Sequence, residues 1–419
     1  MAHPTIDHVM AHEVLDSRGE PTVRATVVLT DGQRGAASVP AGVSTGAHEA
    51  LELRDLAERF AGKGVRKAVA RVNGTIGQAL IGMRVDDQPA IDHKLIELDG
   101  TPDRSNLGAN SILSVSLAAA RTASIFSRLP LYQYLQKSFG LPRPDKFPRP
   151  MCNVLNGAKH ADNNISFQEY QVLAGGKTYA AQIERTARII DELREILRHH
   201  GDRILVGDEG GFAPMLESNE QGLEFLSQAV ARSDLRLGDD VNFGLDVAAS
   251  EFYSIERKIY LLQPEVRAMT AAELISLYQE LVAKYPIKTL EDGLAEDDWD
   301  SWKLLTERLG KKITIIGDDL FATQRDRLNQ GIKSRAANAI LIKPNQVGTL
   351  TETMETIATA RRNGYQCVVS HRSGETCDDF IADLAVAIGS EYLKAGSLMR
   401  SERLAKYNRL LEIAAEVGA

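Results

Sequence analysis

The chain has 419 residues, of which 43% are hydrophobic and 25% are charged, and its formal net charge is −8. This length exceeds what one compact core usually holds, so it predicts two domains. The acidic balance and the lack of basic runs exclude the electrostatic pattern of a nucleic-acid-binding protein. No stretch reaches the roughly 18 apolar residues of a membrane span, and residues 1–10 contain no apolar signal core. Three cysteines without metal-ligand spacing predict reduced thiols and a cytoplasmic location.

The first part of the chain predicts strands followed by helices. Residues 6–40 alternate in polarity as strands do, with a turn at Asp31-Gly32, and a small glycine-containing loop follows at 40–46. From 47 to 137 the apolar residues recur at helical spacing, most regularly over 110–128. The earliest of these apolar positions are Leu51, Leu53 and Leu56. The pattern predicts a small α+β domain.

A proline-rich stretch separates this region from the rest of the chain. Its four prolines are Pro142, Pro144, Pro148 and Pro150, and they prevent regular structure from continuing. We therefore predict an N-terminal domain over 1–138 and a second domain over 139–419. In the second domain, strands are predicted at 151–155 and 169–173 and helices at 178–199 and 271–284.

Beyond the linker, short apolar strands each end in a side chain that can take part in chemistry. From Glu291 onward these side chains recur 23 to 28 residues apart, the length of a strand plus a crossover helix. The pattern predicts the C-terminal face of an α/β barrel, where active sites of that fold lie. A ring of solvated charges is the alternative, and a long series of such ends makes it the weaker one. The predicted ends are Asp208-Glu209 after 204–206, Asp246 after 243–245, Glu291 after 289–290, Asp318 after 313–316, Lys343 after 339–342, His371-Arg372 after 368–369 and Lys394 after 392–393.

Three of these carboxylates, Asp246, Glu291 and Asp318, follow consecutive strands. Like charges close together repel one another unless a cation lies between them. Oxygen ligands without histidine or cysteine indicate Mg²⁺, which keeps waters and shares substrate oxygens. Three separately solvated acids are the alternative. Lys343 would face this cation, and positive charge with partial burial would lower its pKa as a general base requires, although a structural ion pair also fits.

The other polar strand ends predict an acid and two anion-binding groups. Glu209 lies at a glycine-flanked bend, and with Glu169 nearby the two carboxylates can split their pKa values, leaving one protonated as a general acid. Arg372, with the hydroxyl groups around it, suits a phosphate. Lys394 suits a carboxylate. Together these groups predict removal of a proton next to a carboxylate, followed by loss of a leaving group.

The ordered set of motifs resembles the enolase family over essentially the whole chain. The matching motifs are Leu-Asp-Ser-Arg-Gly (15–19), Ser-Thr-Gly (44–46), Leu-Gly-Ala-Asn (107–110), His-Ala-Asp-Asn-Asn (160–164), Gln-Glu (168–169), Val-Gly-Asp-Glu-Gly-Gly-Phe (206–212), Glu-Asp-Gly-Leu (291–294), Gly-Asp-Asp-Leu (317–320), Asn-Gln-Val-Gly (345–348) and Ser-His-Arg-Ser-Gly-Glu-Thr (370–376). The resemblance implies a lyase with a small N-terminal α+β domain capping an irregular eight-stranded α/β (TIM-like) barrel. It also implies homodimers or multiples of dimers, and reversible dehydration of 2-phospho-D-glycerate, a small phosphorylated hydroxy acid, to phosphoenolpyruvate in glycolysis.

The same resemblance assigns a role to each matching residue. It makes Lys343 the base at C2 and Glu209 the acid that helps the 3-hydroxyl group leave. Two Mg²⁺ ions are implied, the first held by Asp246, Glu291 and Asp318 and the second by the substrate phosphate and the loop around Ala41. The implied pocket is completed by His160, Glu169, His371, Arg372, Ser373 and Lys394. The implied lids are the loops at 37–46, 156–165 and 248–265.

Two of the departures from the family pattern bear on the substrate and on assembly. Ala41 stands where relatives commonly have a serine whose hydroxyl binds the second Mg²⁺. This leaves open a paralogue that acts on a phosphonate or another analogue of 2-phosphoglycerate, while a non-catalytic protein on the same scaffold is disfavoured because base, acid and metal ligands are all present. Arg24 and Glu412 reverse both signs of a glutamate–arginine pair that joins subunits in the family. The double reversal predicts an Arg24–Glu412 pair between subunits.

Overall fold

The N-terminal region is a three-stranded antiparallel sheet followed by helices. The computed structural model describes residues 4–42, 46–56 and 58–419. The sheet contains β1 (Ile6–Leu15), β2 (Pro21–Leu29) and β3 (Arg34–Ser38), paired in that order. The helices are α1 (Arg66–Arg71), α2 (Gly77–Leu80), α3 (Gln88–Asp99), α4 (Ala109–Ser127) and α5 (Leu131–Ser138). The buried α4 packs on β2 and β3, so the strand-then-helix prediction is confirmed.

The helical prediction over residues 51–56 is wrong. Residues 46–56 form an irregular segment, which we call the strap. Leu56 is 84% exposed and contributes to no buried helical face. The strap is held instead by hydrogen bonds to distant segments, such as the one from the Ala50 N–H to the Gln346 carbonyl at 2.9 Å. These tertiary contacts override the local periodicity and carry the strap towards the barrel.

Eight strands of the second region close into a barrel. The strands after the linker are β4 (Arg149–Asn156), β5 (Glu169–Ala174), β6 (Val241–Asp246), β7 (Tyr253–Ser254), β8 (Ile259–Leu262), β9 (Arg267–Met269), β10 (Ile287–Glu291), β11 (Thr314–Gly317), β12 (Ala339–Ile342), β13 (Gln366–Ser370) and β14 (Tyr392–Lys394). The barrel order is β10-β11-β12-β13-β14-β4-β5-β6, while β7, β8 and β9 form a separate small sheet. The predicted α/β barrel fold is confirmed.

Helices surround the barrel, and apolar side chains fill its interior. The helices are α6 (Tyr179–His200), α7 (Asn219–Arg232), α8 (Ala271–Lys284), α9 (Trp299–Leu309), α10 (Arg325–Ser334), α11 (Leu350–Arg362), α12 (Phe380–Ile388) and α13 (Ser401–Val417). Inside the barrel, a buried cluster consists of Met151, Leu173, Ile316, Ala339, Leu341 and Val368. This apolar layer leaves the polar strand ends grouped at one face.

Strand direction explains why Glu169 lies at that face although it begins its strand. β5 runs antiparallel to both β4 and β6, whereas the other barrel pairs are parallel. The first residue of β5, Glu169, therefore lies opposite the last residue of β6, Asp246. The reversed strand brings its N-terminal residue to the carboxyl ends of its neighbours.

The predicted barrel strand at 204–206 is not present. Only Val206 makes a bridge there, with Phe212, and the Gly207 N–H donates to the Gly211 carbonyl at 2.8 Å. Leu205 is 59% exposed, so the segment is not a strand buried on both faces. Glu209 thus lies on a tight loop over the barrel.

No single helix in the described residues is long and apolar enough to cross a membrane. Among the described helices, only α4 and α5 taken together have the length and composition of a membrane span, and they are bent by 101° relative to each other.

The N-terminal region caps a barrel helix. Thr351, in the first turn of α11, donates from its N–H and its hydroxyl to Asp92 of α3 at 2.9 and 2.6 Å. The Leu350 N–H donates to Ser116 of α4 at 3.0 Å. Helix N–H groups at a first turn have no partner within the helix, so two of those of α11 depend on these side chains, while Thr349 accepts from the Glu352 N–H. The boundary between 138 and 139 stays a prediction: α5 ends at Ser138 and the next regular element begins eleven residues later, at Arg149.

We expect Asp92→Ala to lower the free energy of unfolding by about 1–3 kcal/mol, because the Thr351 N–H would be left buried without an acceptor. Urea unfolding followed by circular dichroism measures the change. Glu97→Ala is the matched control on α3, since the Glu97 side chain is 72% exposed and pairs only with Lys94 in the described structure; it should stay within about 0.5 kcal/mol of the parent. Equal behaviour of the two variants would contradict this role for Asp92.

Candidate active site

A cavity at the carboxyl ends of the barrel strands collects nearly all the predicted site residues. It is lined by His160, Gln168, Glu169, Glu209, Asp246, Ala248, Glu251, Asp292, Asp318, Asp319, Lys343, Ser370, His371, Arg372, Ser373 and Lys394. Two of the predicted lid segments, 156–165 and 248–265, contribute to this lining; their movement stays a prediction. Glu291 and Ala41 are absent from the lining but lie next to it through contacts given below.

Lys394 forms ion pairs with two of the three predicted metal-binding carboxylates and with Glu169. Its Nζ lies 2.8 Å from Asp246 Oδ2, 2.7 Å from Glu291 Oε1 and 3.3 Å from Glu169 Oε1. Burial by itself lowers the pKa of Lys394, but the surrounding carboxylates outweigh burial and hold that pKa well above its usual range. Lys394 is therefore a charged ammonium group within the acidic cluster.

The acidic cluster retains a buried oxygen that fits a cation. Glu291 Oε2 is buried and has no hydrogen-bond partner among the residues that the structure describes, which is costly for a carboxylate. Burial and the nearby Asp246 charge raise the pKa of Glu291 well above its usual range. Both observations indicate a deficit of positive charge, and an all-oxygen set suits Mg²⁺. Within the described chain, however, the three carboxylates whose oxygens lie within 4.8 Å of one another are Asp292, Asp318 and Asp319. The set Asp246, Glu291 and Asp318 stays a prediction.

Asp292 is a residue that the sequence analysis missed. Its carboxylate accepts the backbone N–H groups of Asp318 and Asp319 at 2.8 and 2.9 Å. Its backbone lies in the left-handed region, with φ 41°. The Glu-Asp-Gly-Leu motif contained this residue, but only the tertiary structure places it beneath Asp318, where it fixes the turn that presents that carboxylate.

Lys343 forms an ion pair with Asp318. Burial lowers the pKa of Lys343, but the Asp318 charge outweighs burial and raises that pKa above its usual range. The lowering was predicted for a lysine that faces a cation, and it stays a prediction; the Asp318 carboxylate by itself has the opposite effect. The same contact holds the pKa of Asp318 low despite burial.

The two buried glutamates and two histidines form a second cluster in the site. His160 Nδ1 lies 3.4 Å from Glu169 Oε1 and 3.6 Å from Glu209 Oε2, and His371 Nε2 lies 3.4 Å from Glu209 Oε2. Burial, together with the Glu209 charge, raises the pKa of Glu169 to about 7. Burial also opposes the charge on Glu209, but His160 and His371 outweigh it and hold the Glu209 pKa well below its usual range.

The predicted splitting of the two carboxyl pKa values is therefore present, and it leaves the proton on Glu169 below about pH 7. Glu209 stays ionised in the substrate-free protein. Burial lowers the pKa of His160, but the two glutamates outweigh burial and raise it. The assignment of Glu209 as the acid rests on the resemblance and stays a prediction.

Arg403 fixes the orientation of His371 and was also missed from the sequence. It is fully buried on α13, and its Nη1 lies 2.6 Å from His371 Nδ1. Because a guanidinium group only donates hydrogen bonds, Nδ1 must accept and Nε2 carries the proton that faces Glu209. Burial is the main cause that lowers the His371 pKa to about 4, so the ring is neutral. A charged residue in register with the buried Tyr407 and Leu410 was the available signal.

Arg372 and Ser373 reach the site from the segment after β13. The Arg372 guanidinium group forms a two-pronged pair with Glu49 of the strap. Ser373 Oγ lies 3.2 Å from His160 Nε2. Glu49 was missed because the strap was predicted to be helical.

Ala41 links the N-terminal region to this same segment. Its N–H donates to the Gly374 carbonyl at 2.8 Å, and its carbonyl accepts from the Gly374 N–H at 3.0 Å. Metal binding by residue 41 stays a prediction. The Ser44 and Thr45 positions of the Ser-Thr-Gly motif lie outside the described residues, as does part of the predicted lid at 37–46.

Arg403→Met is expected to raise the pKa of His371, because the substitution removes a buried positive charge that opposes protonation of the ring. An NMR titration of histidine ring signals measures the shift. Arg400→Met is the matched control: Arg400 is exposed three residues earlier, and its substitution should leave the His371 titration unchanged. An unchanged or lowered His371 pKa in Arg403→Met would contradict the contact. Arg403→Lys keeps the positive charge, so His371 should titrate in that variant as it does in the parent.

Comparison with known proteins adds independent findings. The family described as "Enolase, N-terminal domain" matches residues 6–135, and "Enolase, C-terminal TIM barrel domain" matches residues 145–419. The chain is 51% identical over 413 residues to the enolase of Sulfurimonas denitrificans, covering 98% of this chain and 97% of that relative. It is 49% identical over 413 residues to the enolase of Wolinella succinogenes, with 98% and 97% coverage. It is 49% identical over 409 residues to the enolase of Nitratiruptor sp., with 97% and 96% coverage.

Proposed function

Because this chain belongs to the enolase family and is therefore a lyase, a phosphopyruvate hydratase, we propose that it catalyses the Mg²⁺-dependent, reversible dehydration of 2-phospho-D-glycerate to phosphoenolpyruvate in glycolysis and gluconeogenesis. The observation that carries the detailed proposal is the division of the cavity into two chemically different sides. Lys343 with Asp318 stands on one side, and Glu209 with the two histidines stands on the other. Glu169 belongs to the second group through His160 and also contacts Lys394. A base and a proton-holding pair are what a dehydration needs.

Lys343 would remove the C2 proton. In the substrate-free protein Asp318 keeps this lysine protonated. Once the Asp318 charge is shared with a cation, the lysine loses that stabilisation and its pKa falls towards the range of a base. Asp246, Glu291 and Asp318 would hold the first Mg²⁺, and the loop around Ala41 would help hold the second; such ions neutralise negative charge that develops on a substrate carboxylate.

Glu209 and its neighbours would assist loss of the 3-hydroxyl group. Glu169 carries a proton near neutral pH and shares His160 with Glu209, so a proton can pass within this group. His371 stays neutral and presents Nε2–H to Glu209, which keeps that carboxylate in place. Arg372 and Ser373 would bind the substrate phosphate.

The alternative is a paralogue that acts on a phosphonate or another analogue of 2-phosphoglycerate, which the alanine at residue 41 favours. A direct assay separates the two: phosphoenolpyruvate formation from 2-phosphoglycerate with added Mg²⁺, followed by its ultraviolet absorbance. Turnover supports the main proposal, and no turnover with an intact fold supports the alternative. We also place the enzyme in the cytoplasm, a proposal consistent with three free cysteines, Cys152, Cys367 and Cys377.

Lys343→Ala and Glu209→Gln should separate the two half-reactions, because the two side chains act on different bonds. Lys343→Ala should lose exchange of the C2 hydrogen with solvent together with turnover. Glu209→Gln should lose dehydration and retain C2 exchange. Each positioned group contributes about 10²–10⁴-fold, so residual turnover should be small in both variants. NMR detection of deuterium at C2 provides the measurement, and equal loss of exchange in both variants would refute the assigned roles.

We further propose a homodimer, or a multiple of dimers, joined in part by Arg24 of one subunit and Glu412 of the other. Both positions are open to solvent within one chain. Arg24 is exposed on β2, and the Glu412 side chain is 65% exposed, with Arg409 at 3.0 Å as its neighbour. Opposite charges at these positions favour association if the family dimer is kept.

Arg24→Glu should weaken the dimer, and adding Glu412→Arg should restore it. A double-mutant cycle on the dimer dissociation constant, from analytical ultracentrifugation, measures the coupling. A coupling of roughly 0.2–1 kcal/mol is expected for an exposed pair. Because Glu412 also contacts Arg409, Arg409→Gln serves as the control for a change in that local pair. Zero coupling would exclude the proposed contact.

A further inference from the structure

The guanidinium group of Arg372 is bound by a carboxylate from the other structural region. Arg372 Nη1 lies 2.7 Å from Glu49 Oε2, and Nη2 lies 3.1 Å from Glu49 Oε1. The side chains are only 3% and 6% exposed. This two-pronged geometry is the one that arginine forms with carboxylate and with phosphate groups alike.

Other donors converge on the same carboxylate. Glu49 Oε1 accepts from the Gly46 N–H at 3.1 Å and from Gln346 Nε2 at 3.3 Å. The Glu49 oxygens thus occupy a cradle made of a cation, a backbone amide and a side-chain amide. Such a set of donors can bind either a carboxylate or a phosphate, because each donor contacts an oxygen atom and none contacts the carbon or phosphorus atom that carries it.

We propose that Glu49 is a built-in competitor of the phosphate group: it occupies the oxyanion position on Arg372 in the substrate-free protein and leaves when a phosphate binds. The inference rests on the proposed function, in which Arg372 binds the substrate phosphate. It deepens that function by naming a specificity-determining residue that none of the matching motifs contains.

Competition follows from the geometry and the burial. One guanidinium edge cannot hold two anions at once, and two negative oxygens at that distance repel strongly in a site with little water. The apparent affinity for phosphate is therefore the intrinsic affinity multiplied by the fraction of molecules in which Arg372 is released. A doubly charged phosphate gains more from the guanidinium group than a singly charged anion does, so the competitor selects for phosphate dianions.

The strap allows Glu49 to leave without unfolding. The residue that follows it, Ala50, is fixed through its N–H to the Gln346 carbonyl at 2.9 Å. The side chain can therefore rotate away while the backbone next to it stays attached. Gly46, which donates to Glu49, is the last residue of the predicted lid at 37–46, so release of Glu49 also frees a contact of Gly46.

The experiment is a calorimetric titration of the full chain with inorganic phosphate in Mg²⁺ buffer. Glu49→Gln keeps the shape of the side chain and removes its charge, so phosphate should bind about 10-fold more tightly if Arg372 is paired in roughly nine-tenths of the molecules. Glu52→Gln is the matched control, because it removes the same charge from the same strap. Glu52 pairs with Arg54 at 2.5 Å, and its charge acts on Arg372 less than the charge of Glu49 does, so its variant should gain less phosphate affinity than Glu49→Gln.

Two further variants make the result specific. Adding Arg372→Lys to Glu49→Gln should abolish the gain, because the gain arises on the guanidinium group. Glu49→Asp keeps the charge on a shorter side chain, which pairs less well with Arg372, and should bind phosphate with intermediate affinity; it also serves if Glu49→Gln fails to fold.

Unchanged, weaker or undetectable phosphate binding in Glu49→Gln relative to Glu52→Gln would overturn the inference and make Glu49 a positioning residue for Arg372. The proposed function is tested by a separate measurement, the formation of phosphoenolpyruvate by the parent protein. Turnover without a gain in phosphate affinity defeats only the inference. A gain without turnover defeats the proposed function and leaves the competition in place.

Discussion

The site depends on the balance between buried carboxylates and a few buried cations. Asp246, Glu291 and Glu169 share the ammonium group of Lys394, and Asp318 pairs with Lys343. Without these cations the carboxylates would repel one another and face the full cost of burial. Even with them, one oxygen of Glu291 has no hydrogen-bond partner in the described part of the chain. The site is therefore stable enough to fold, yet it keeps a deficit of positive charge that favours a bound cation.

The same balance sets which groups carry protons. Where ammonium and imidazole groups contact a carboxylate, as at Asp318 and Glu209, its pKa is held low. Where burial and neighbouring carboxylates dominate, as at Glu169 and Glu291, the pKa rises. Below about pH 7, two chemically identical side chains, Glu169 and Glu209, thereby acquire opposite protonation states within one cavity. Their environment, and not their residue type, determines the proton that each one holds.

Much of the fold and most of the cavity were predictable from the sequence because the barrel repeats. An apolar strand followed by a charged residue recurs at nearly constant spacing, and this placed Asp246, Glu291, Asp318, Lys343 and Lys394 at one face. The segment at 204–206 imitates that pattern, but a short apolar run does not reveal whether neighbouring strands pair with it. Glu49 and Arg403 reach the site through tertiary contacts from outside the repeat. The direction of the Lys343 pKa shift depends on which charge lies nearest, and only coordinates supply that.

The capping of α11 by Asp92 and Ser116 bears on how this protein can be divided. The linker after Ser138 separates the N-terminal elements from the barrel along the chain. The acceptors for the first turn of α11, a barrel helix, nevertheless lie in the N-terminal region. A barrel expressed alone would therefore expose an unfinished helix end, and a nick in the linker would leave both halves attached. Exchange of barrels between relatives would have to carry α3 and α4 along. The two regions therefore form one structural unit, although the order of elements along the chain divides them.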